Sequence, residues 1–160
     1  MAYSGQRGSC SNCNSYARLA IPNEEKPKPE GLLGGVSRST PALVEAQQIS
    51  SRAAGAGFDW PNVEQVVEKL HEELSELEAA RREGSADAME GEIGDLLFVL
   101  VNIARFVKVD PEQALRKTSA KFRGRFAHVE AGLEKRGKTL RETNVDEMES
   151  LWQEAKQRGL

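Results

Sequence analysis

The sequence has few of the residues that usually bind zinc or carry redox chemistry. It contains two cysteines and two histidines. Cys10 and Cys13 form a single C-x-x-C pair, and His71 and His128 lie far apart in the chain. Structural zinc sites usually take four such ligands at close spacing. The sequence therefore disfavours a zinc or redox function.

Long apolar segments and an excess of positive charge are also absent. The longest apolar run is Leu96–Val101, far below the ~20 residues of a membrane span. Residues 1–20 lack the basic start and apolar core of a signal peptide. The formal net charge of −3 provides no general attraction for nucleic acids or anionic membranes. We therefore predict a cytoplasmic protein that binds neither a membrane nor a nucleic acid polymer.

The composition changes after the first thirty residues. Residues 1–30 are rich in Gly, Pro and Cys and have no helical period, which predicts a disordered or poorly ordered tail. The remainder, residues 31–160, has the ordinary globular balance of apolar and charged residues. We expect this part to form one domain.

Five segments of this domain have apolar residues at helical spacing, and none alternates like a strand. This pattern predicts an all-α bundle. The expected helices run from Thr40–Pro41 to Gly55 or Gly57, over about Pro61–Arg82, over Ala86–Val107, from Asp110–Pro111 to between Gly132 and Gly137, and from Asn144 onwards. The expected N-cap residues are Thr40, Asp110 and Asn144, the last in a capping box with Glu147.

The third predicted helix is apolar on almost every side between Ile93 and Val107. A helix with so little polar surface is usually buried. A small monomer would not cover it easily, so the sequence predicts a homodimer that buries this helix.

Two acidic pairs flank the expected turn at Gly84. Glu73 and Glu76 stand three apart before it, and Glu92 and Asp95 stand three apart after it. At the helical rise, both pairs lie roughly 10 to 17 Å from the turn. An antiparallel hairpin would therefore bring the four carboxylates together, where they repel one another unless a cation neutralises them.

The chemistry of these side chains indicates which cation would bind them. Acidic residues on the second helix alone are typical of a solvated face, but Glu92 and Asp95 interrupt an apolar helix, and burying unpaired carboxylates is costly. All the ligands are oxygens, which favours Mg²⁺, with Mn²⁺ as a possibility. Magnesium on carboxylates usually keeps positions for phosphate oxygens, so the cluster indicates phosphate chemistry.

Basic and aromatic residues near the C-terminus fit this interpretation. Lys121 and Arg125 lie four apart, as do Trp152 and Lys156. The cations would hold phosphates and the indole would stack on a base. The alternative is that the aromatic residues are core and the cations are surface. Asn102, the other polar residue inside the third helix, either touches substrate or caps a polar cavity.

Together these motifs resemble the MazG nucleoside triphosphate pyrophosphohydrolases. The pattern Glu-Glu-x-x-Glu followed by Glu-x-x-Asp is formed by Glu72, Glu73, Glu76, Glu92 and Asp95. The resemblance covers about residues 31–160 and is to the second of two MazG repeats. Further matching segments are Gly57–Pro61, Gly94–Phe98 with Val101–Asn102, Lys121–Phe122 with Arg125–Phe126, and Leu151–Trp152 with Lys156.

The resemblance implies an all-α dimeric fold and Mg²⁺-dependent hydrolysis of nucleoside triphosphates to the monophosphate and pyrophosphate, which clears noncanonical or excess nucleotides. It implies that Mg²⁺ is bound by Glu73, Glu76, Glu92 and Asp95. It also implies substrate contacts from Lys121, Arg125, Trp152 and Lys156.

Our hypothesis for the reaction is attack of water on the α-phosphorus. Glu72, or a cluster carboxylate such as Glu73 or Glu76, would act as the base. Two alternatives remain at this point. The substrate could be narrower, dUTP or a phosphoribosyl nucleotide, or the chain could be a non-catalytic helical dimerisation module.

Overall fold

The computed structural model describes residues 31–160, and this part of the chain contains five α-helices and no strand. The predicted all-α fold is confirmed. The helices are α1 (Ala42–Gly55), α2 (Val63–Glu83), α3 (Ala86–Phe106), α4 (Pro111–Lys135) and α5 (Val145–Gln157). The predicted tail and the Cys10–Cys13 pair lie outside the described residues. Within the described part, no helix has both the length and the apolarity to cross a membrane.

The helices α2 and α3 form an antiparallel hairpin with a two-residue connection. Gly84 ends α2 in the left-handed conformation, at φ 74°, which glycine adopts without strain. Ser85 then caps α3, because its side chain accepts a hydrogen bond from the Ala88 amide. The predicted reversal at this point is confirmed, and the short connection fixes the relative height of the two helices.

The helices α4 and α5 form a second packed pair. Asp110 caps α4 as predicted, with Pro111 in its first turn. Val129, Leu133 and Leu151 form the buried core between the two helices. This core packs against the partly buried side chains of Met148 and Trp152.

The two pairs are joined through α1. It packs on both α3 and α4, whereas α2 contacts only α3 and α5 contacts only α4 among the described helices. Arg105, near the end of α3, donates hydrogen bonds to Ser50 of α1 and to Asp59 in the loop before α2. The fold is therefore two helix pairs held together by α1 and by a short contact between α3 and α4.

One predicted cap and one predicted capping box differ from the structure. Thr40 is not the N-cap of α1, because Pro41 occupies that position and the Thr40 hydroxyl donates to the Ser37 carbonyl instead. Asn144 does cap α5 by accepting from the Glu147 amide. The return bond of a capping box is replaced, since the Glu147 carboxylate binds Arg136, Lys138 and Thr143.

The third helix is only partly buried in the single chain, and its burial in a homodimer stays a prediction. Ile93, Leu97 and Leu100 are each about half exposed, at 50%, 49% and 48%. The sequence pattern indicates that α3 is apolar, but it does not indicate which faces of α3 pack against other helices of the same chain. The boundaries also shift slightly: α2 begins at Val63 behind an Asn62 cap, not at Pro61, and α3 ends at Phe106.

Candidate metal centre

Three carboxylates of the α2–α3 hairpin converge. One oxygen each from Glu73, Glu92 and Asp95 lie within 4.8 Å of one another. Glu73 is only 4% exposed, whereas Asp95 is open to solvent. The cluster therefore has a buried side in the seam between the helices and an accessible side.

The acids come together because the connection at Gly84 aligns the two helices. Glu73 lies eleven residues before Gly84 and Asp95 ten residues after Ser85, and antiparallel helices place such residues opposite each other. Glu92 lies one helical turn before Asp95 on the same helix. The predicted convergence is therefore found for three of the four acids, and their role as metal ligands stays a prediction.

Glu76, the fourth predicted ligand, lies close but is exposed and stands outside the converging group. Its charge nevertheless acts on the cluster, since it contributes to the pKa of Glu92. Its role as a ligand stays a prediction.

The surroundings of the Glu92 carboxyl favour binding of a cation. Loss of hydration, and then repulsion from nearby carboxylates, raises the pKa of the Glu92 carboxyl. The carboxylates concerned are those of Glu76, Glu73 and Asp95. Its Oε2 atom is also buried without a hydrogen-bond partner, which is costly for a polar atom. These two observations fit a divalent cation bound by oxygen ligands.

Lys69 is a residue of this site that the sequence argument missed. Its ammonium lies 2.7 Å from Glu73 and 3.0 Å from Glu72. These two carboxylates raise the pKa of Lys69, so it is charged at neutral pH. The spacing of four residues between Lys69 and Glu73 was the available signal, because residues at that spacing are neighbours on a helix.

Glu72, the predicted general base, is open to solvent. Its side chain is 59% exposed and its recorded ion pair is with Lys69. A carboxylate in this position has access to water, and its role as a base stays a prediction.

The predicted substrate residues of α4 and α5 form a separate group. The Phe122 ring lies 4.9 Å from the Trp152 ring, and the Arg125 guanidinium lies 5.8 Å from the same indole. Arg125 also donates to the carbonyl of Leu160. Lys121 and Lys156 are exposed in the same helix pair.

This group and the acidic cluster are not brought into contact within the chain, because α2 touches neither α4 nor α5 among the described residues. The acids therefore converge on one helix pair, and the predicted cations and indole converge on the other.

Asn102 is engaged inside the protein. It is 1% exposed, its Oδ1 accepts from Ser50 and Arg105, and its Nδ2 donates to the Phe98 carbonyl. Asn102 therefore joins α1 to α3 in this structure. A contact with substrate stays a prediction. Neither Ser50 nor Arg105 was singled out from the sequence, because their partners lie about fifty residues away.

The fold and the site define an all-α protein with a carboxylate cluster suited to a hard divalent cation. Comparison with known families narrows this class. Residues 62–130 match the family described as MazG nucleotide pyrophosphohydrolase domain. This segment of the chain is therefore similar to MazG domains, as its motifs suggested.

Curated relatives agree with the family match. The chain is 41% identical over 133 residues to a Thermotoga maritima protein named nucleoside triphosphate pyrophosphohydrolase/pyrophosphatase MazG, an alignment of 83% of this chain and 51% of that protein. It is 40% identical over 130 residues to the Escherichia coli K12 nucleoside triphosphate pyrophosphohydrolase, covering 80% of this chain and 49% of the relative. The chain thus spans about half the length of these relatives.

Proposed function

We propose that this protein hydrolyses nucleoside triphosphates to nucleoside monophosphate and pyrophosphate, with Mg²⁺ or Mn²⁺ held by the α2–α3 cluster. The observation that carries the proposal is the convergence of Glu73, Glu92 and Asp95 within 4.8 Å. The names of the curated relatives support the same reaction. Clearance of noncanonical or excess nucleotides, in the cytoplasm, is the corresponding biological role.

The metal ligands in this proposal are Glu73, Glu92 and Asp95, with Glu76 completing the set from the neighbouring turn. A divalent cation bound there supplies Lewis-acid polarisation of a phosphate and a more acidic water. The buried position of Glu73 fixes one ligand in the seam, and the exposure of Asp95 leaves an open side for phosphate oxygens.

The proton of the attacking water goes to a carboxylate in our proposal. Glu72 is the candidate because it is beside Glu73 on the chain and open to solvent. The positive charges of Lys121, Arg125 and Lys156 stabilise the departing pyrophosphate. Trp152 and Asn102 complete the proposed substrate contacts.

We propose that the active form is a homodimer. Ile93, Leu97 and Leu100 form a half-exposed apolar row along α3, and such rows are usually covered by a partner. The separation of the acidic cluster from the α4–α5 group gives a second reason, since a partner chain would supply the surface that a single chain leaves open.

The test is release of pyrophosphate, as distinct from orthophosphate, from a panel of nucleoside triphosphates with and without Mg²⁺. Glu73→Gln and Asp95→Asn should each lower turnover at least about a hundredfold, because they remove metal ligands. Glu78→Gln is the matched control, since Glu78 lies on α2 and its recorded ion pair is with Arg82.

The same panel separates the remaining possibilities. Turnover confined to dUTP or to a phosphoribosyl nucleotide would show a narrow substrate specificity in place of the broad one proposed. Full turnover by Glu73→Gln would rule out the metal assignment. If the wild-type protein shows no turnover and no Mg²⁺ binding by calorimetry, the result would favour the interpretation as a helical dimerisation module.

A further inference from the structure

Lys69 supplies the positive charge paired with the acidic cluster. It lies one helical turn before Glu73, and its ammonium binds both Glu73 and Glu72. Among the ion pairs found in the described residues, those that reach the cluster come from this lysine. One ammonium against three converging carboxylates leaves a net negative charge, so the cluster still attracts a cation.

A divalent cation and Lys69 compete for the same carboxylate, that of Glu73. Glu73 is the buried member of the cluster, and its Oε1 atom is 2.7 Å from the lysine ammonium. A metal coordinated by Glu73 would lie beside that ammonium, and like charges at such distances repel strongly away from bulk water. Binding of the metal is therefore opposed for as long as Lys69 stays on Glu73.

The side chain of Lys69 is able to leave. It is 34% exposed and ends a flexible four-carbon chain, so the ammonium can turn towards solvent without unfolding α2. Asp95 marks the accessible side of the cluster, and this is the side from which a triphosphate would approach. A triphosphate bound there would give the Lys69 ammonium a new anionic partner in place of Glu73.

We propose that Lys69 is a built-in counter-ion of the acidic cluster, which opposes binding of the metal alone and couples it to binding of the triphosphate. This inference rests on the proposed function of the site. Without a triphosphate, a bound dication faces an unpaired ammonium. With a triphosphate, both positive charges are neutralised, so each ligand strengthens the binding of the other.

The experiment measures binding of Mn²⁺ by calorimetry to wild-type protein and to Lys69→Met. It is done without nucleotide and with α,β-methylene-ATP, whose methylene group resists cleavage at the reacting position. The complex of Mn²⁺ with the analogue is measured separately. We expect Lys69→Met to bind Mn²⁺ alone about tenfold more tightly than wild type, and the strengthening by the analogue to fall by about the same factor.

Thermal unfolding gives a readout that does not depend on the nucleotide. Without metal, Lys69→Met should melt at a lower temperature, because it leaves the buried Glu73 carboxylate unpaired. Mn²⁺ should then raise the melting temperature of Lys69→Met more than that of wild type. If Lys69→Met does not fold, Lys69→Gln retains a hydrogen-bond donor and serves the same comparison.

Arg82→Met is the matched control. It removes one positive charge from the same helix, but Arg82 pairs with Glu78, and both side chains are 68% exposed. Equal tightening in Arg82→Met and Lys69→Met would overturn the proposal in favour of a general charge effect. Unchanged or weaker binding of Mn²⁺ by Lys69→Met would also overturn it. Such a result would mean that Lys69 only stabilises the position of Glu73. Failure of wild type itself to bind Mn²⁺ would instead refute the metal centre on which the inference rests.

Discussion

Arg105 holds Asp59 through two guanidinium nitrogens, one of which lies 2.9 Å from Asp59 Oδ2. Its Nε atom donates to Ser50 at 2.8 Å, so one side chain links α1, the loop before α2 and the end of α3. The hydrogen bonds from Arg105 lower the pKa of Asp59. The link fixes the start of α2 and, through it, the helix that carries Glu73.

Replacing this arginine with lysine should destabilise the protein. Lys cannot make the planar paired contact with Asp59 while also donating to Ser50. We expect Arg105→Lys to lower the free energy of unfolding in urea by about 1–3 kcal/mol. Arg116→Lys, at an exposed arginine that pairs with Glu112 on the same helix, should change it by less than about 0.5 kcal/mol. Equal effects of the two substitutions would contradict a structural role for the Arg105 link.

Close packing of α4 on α5 predicts opposite effects at two glycines of α4. A Cβ atom at Gly132 would lie 2.5 Å from Leu151 Cδ2, and Leu151 is 2% exposed in the core. Gly132→Ala should therefore lower the free energy of unfolding by about 1–3 kcal/mol.

At Gly124 nothing lies within 4 Å of such an atom, so Gly124→Ala should raise the free energy of unfolding by about 0.5–1 kcal/mol through helix propensity. Thermal melts of both variants test this contrast. A stabilised Gly132→Ala would show that Leu151 can move aside.

The Glu147 carboxylate predicts loss of stability in acid. Hydrogen bonds from Lys138, then Arg136 and Thr143, lower the pKa of Glu147 to about 2 from a usual value of 4.5. Because the folded pKa is the lower one, this contribution is complete above about pH 4.5 and disappears as the pH falls towards about 2.

Glu147→Gln should therefore be less stable than wild type at neutral pH and should lose less stability between about pH 4.5 and about pH 2. Urea unfolding at a series of pH values measures this difference. The exposed Glu130→Gln on α4 is the comparison, and it should follow the wild-type profile. Parallel curves for Glu147→Gln and wild type would refute the assignment.

The half-exposed row on α3 predicts a variant with altered assembly. Leu100→Glu places a charge in the middle of the apolar face, so it should convert a dimer to a monomer in light scattering at micromolar concentration. Val145→Glu, at an isolated position that is 73% exposed, should leave the mass unchanged. A monomeric wild-type protein would contradict the proposed dimer.

The sequence predicted those features that depend on local spacing. The turn at Gly84, the caps at Asp110 and Asn144, and the convergence of Glu73 with Glu92 follow from helical periodicity and a short connection. These residues are close in the chain, so their spatial relation is nearly determined by the helix itself.

Other features depend on contacts that sequence spacing does not report. Arg105 meets Asp59 and Ser50 only because α1 and α3 pack together. The exposure of Leu97 depends on which neighbours cover α3, and composition carries no information on that point. Lys69 was detectable by its spacing from Glu73, but many such pairs on helices are ordinary surface contacts.

The two-residue connection at Gly84 also bears on the order of folding. The cluster is drawn from consecutive helices, and Glu73 and Asp95 close a short loop of chain, so little conformational entropy is lost in bringing them together. Contacts of this local kind form early, whereas those of Arg105 with Ser50 and Asp59 require distant segments to meet. We therefore expect the acidic hairpin to assemble before α1 secures it, so that a divalent cation can act on the protein during folding.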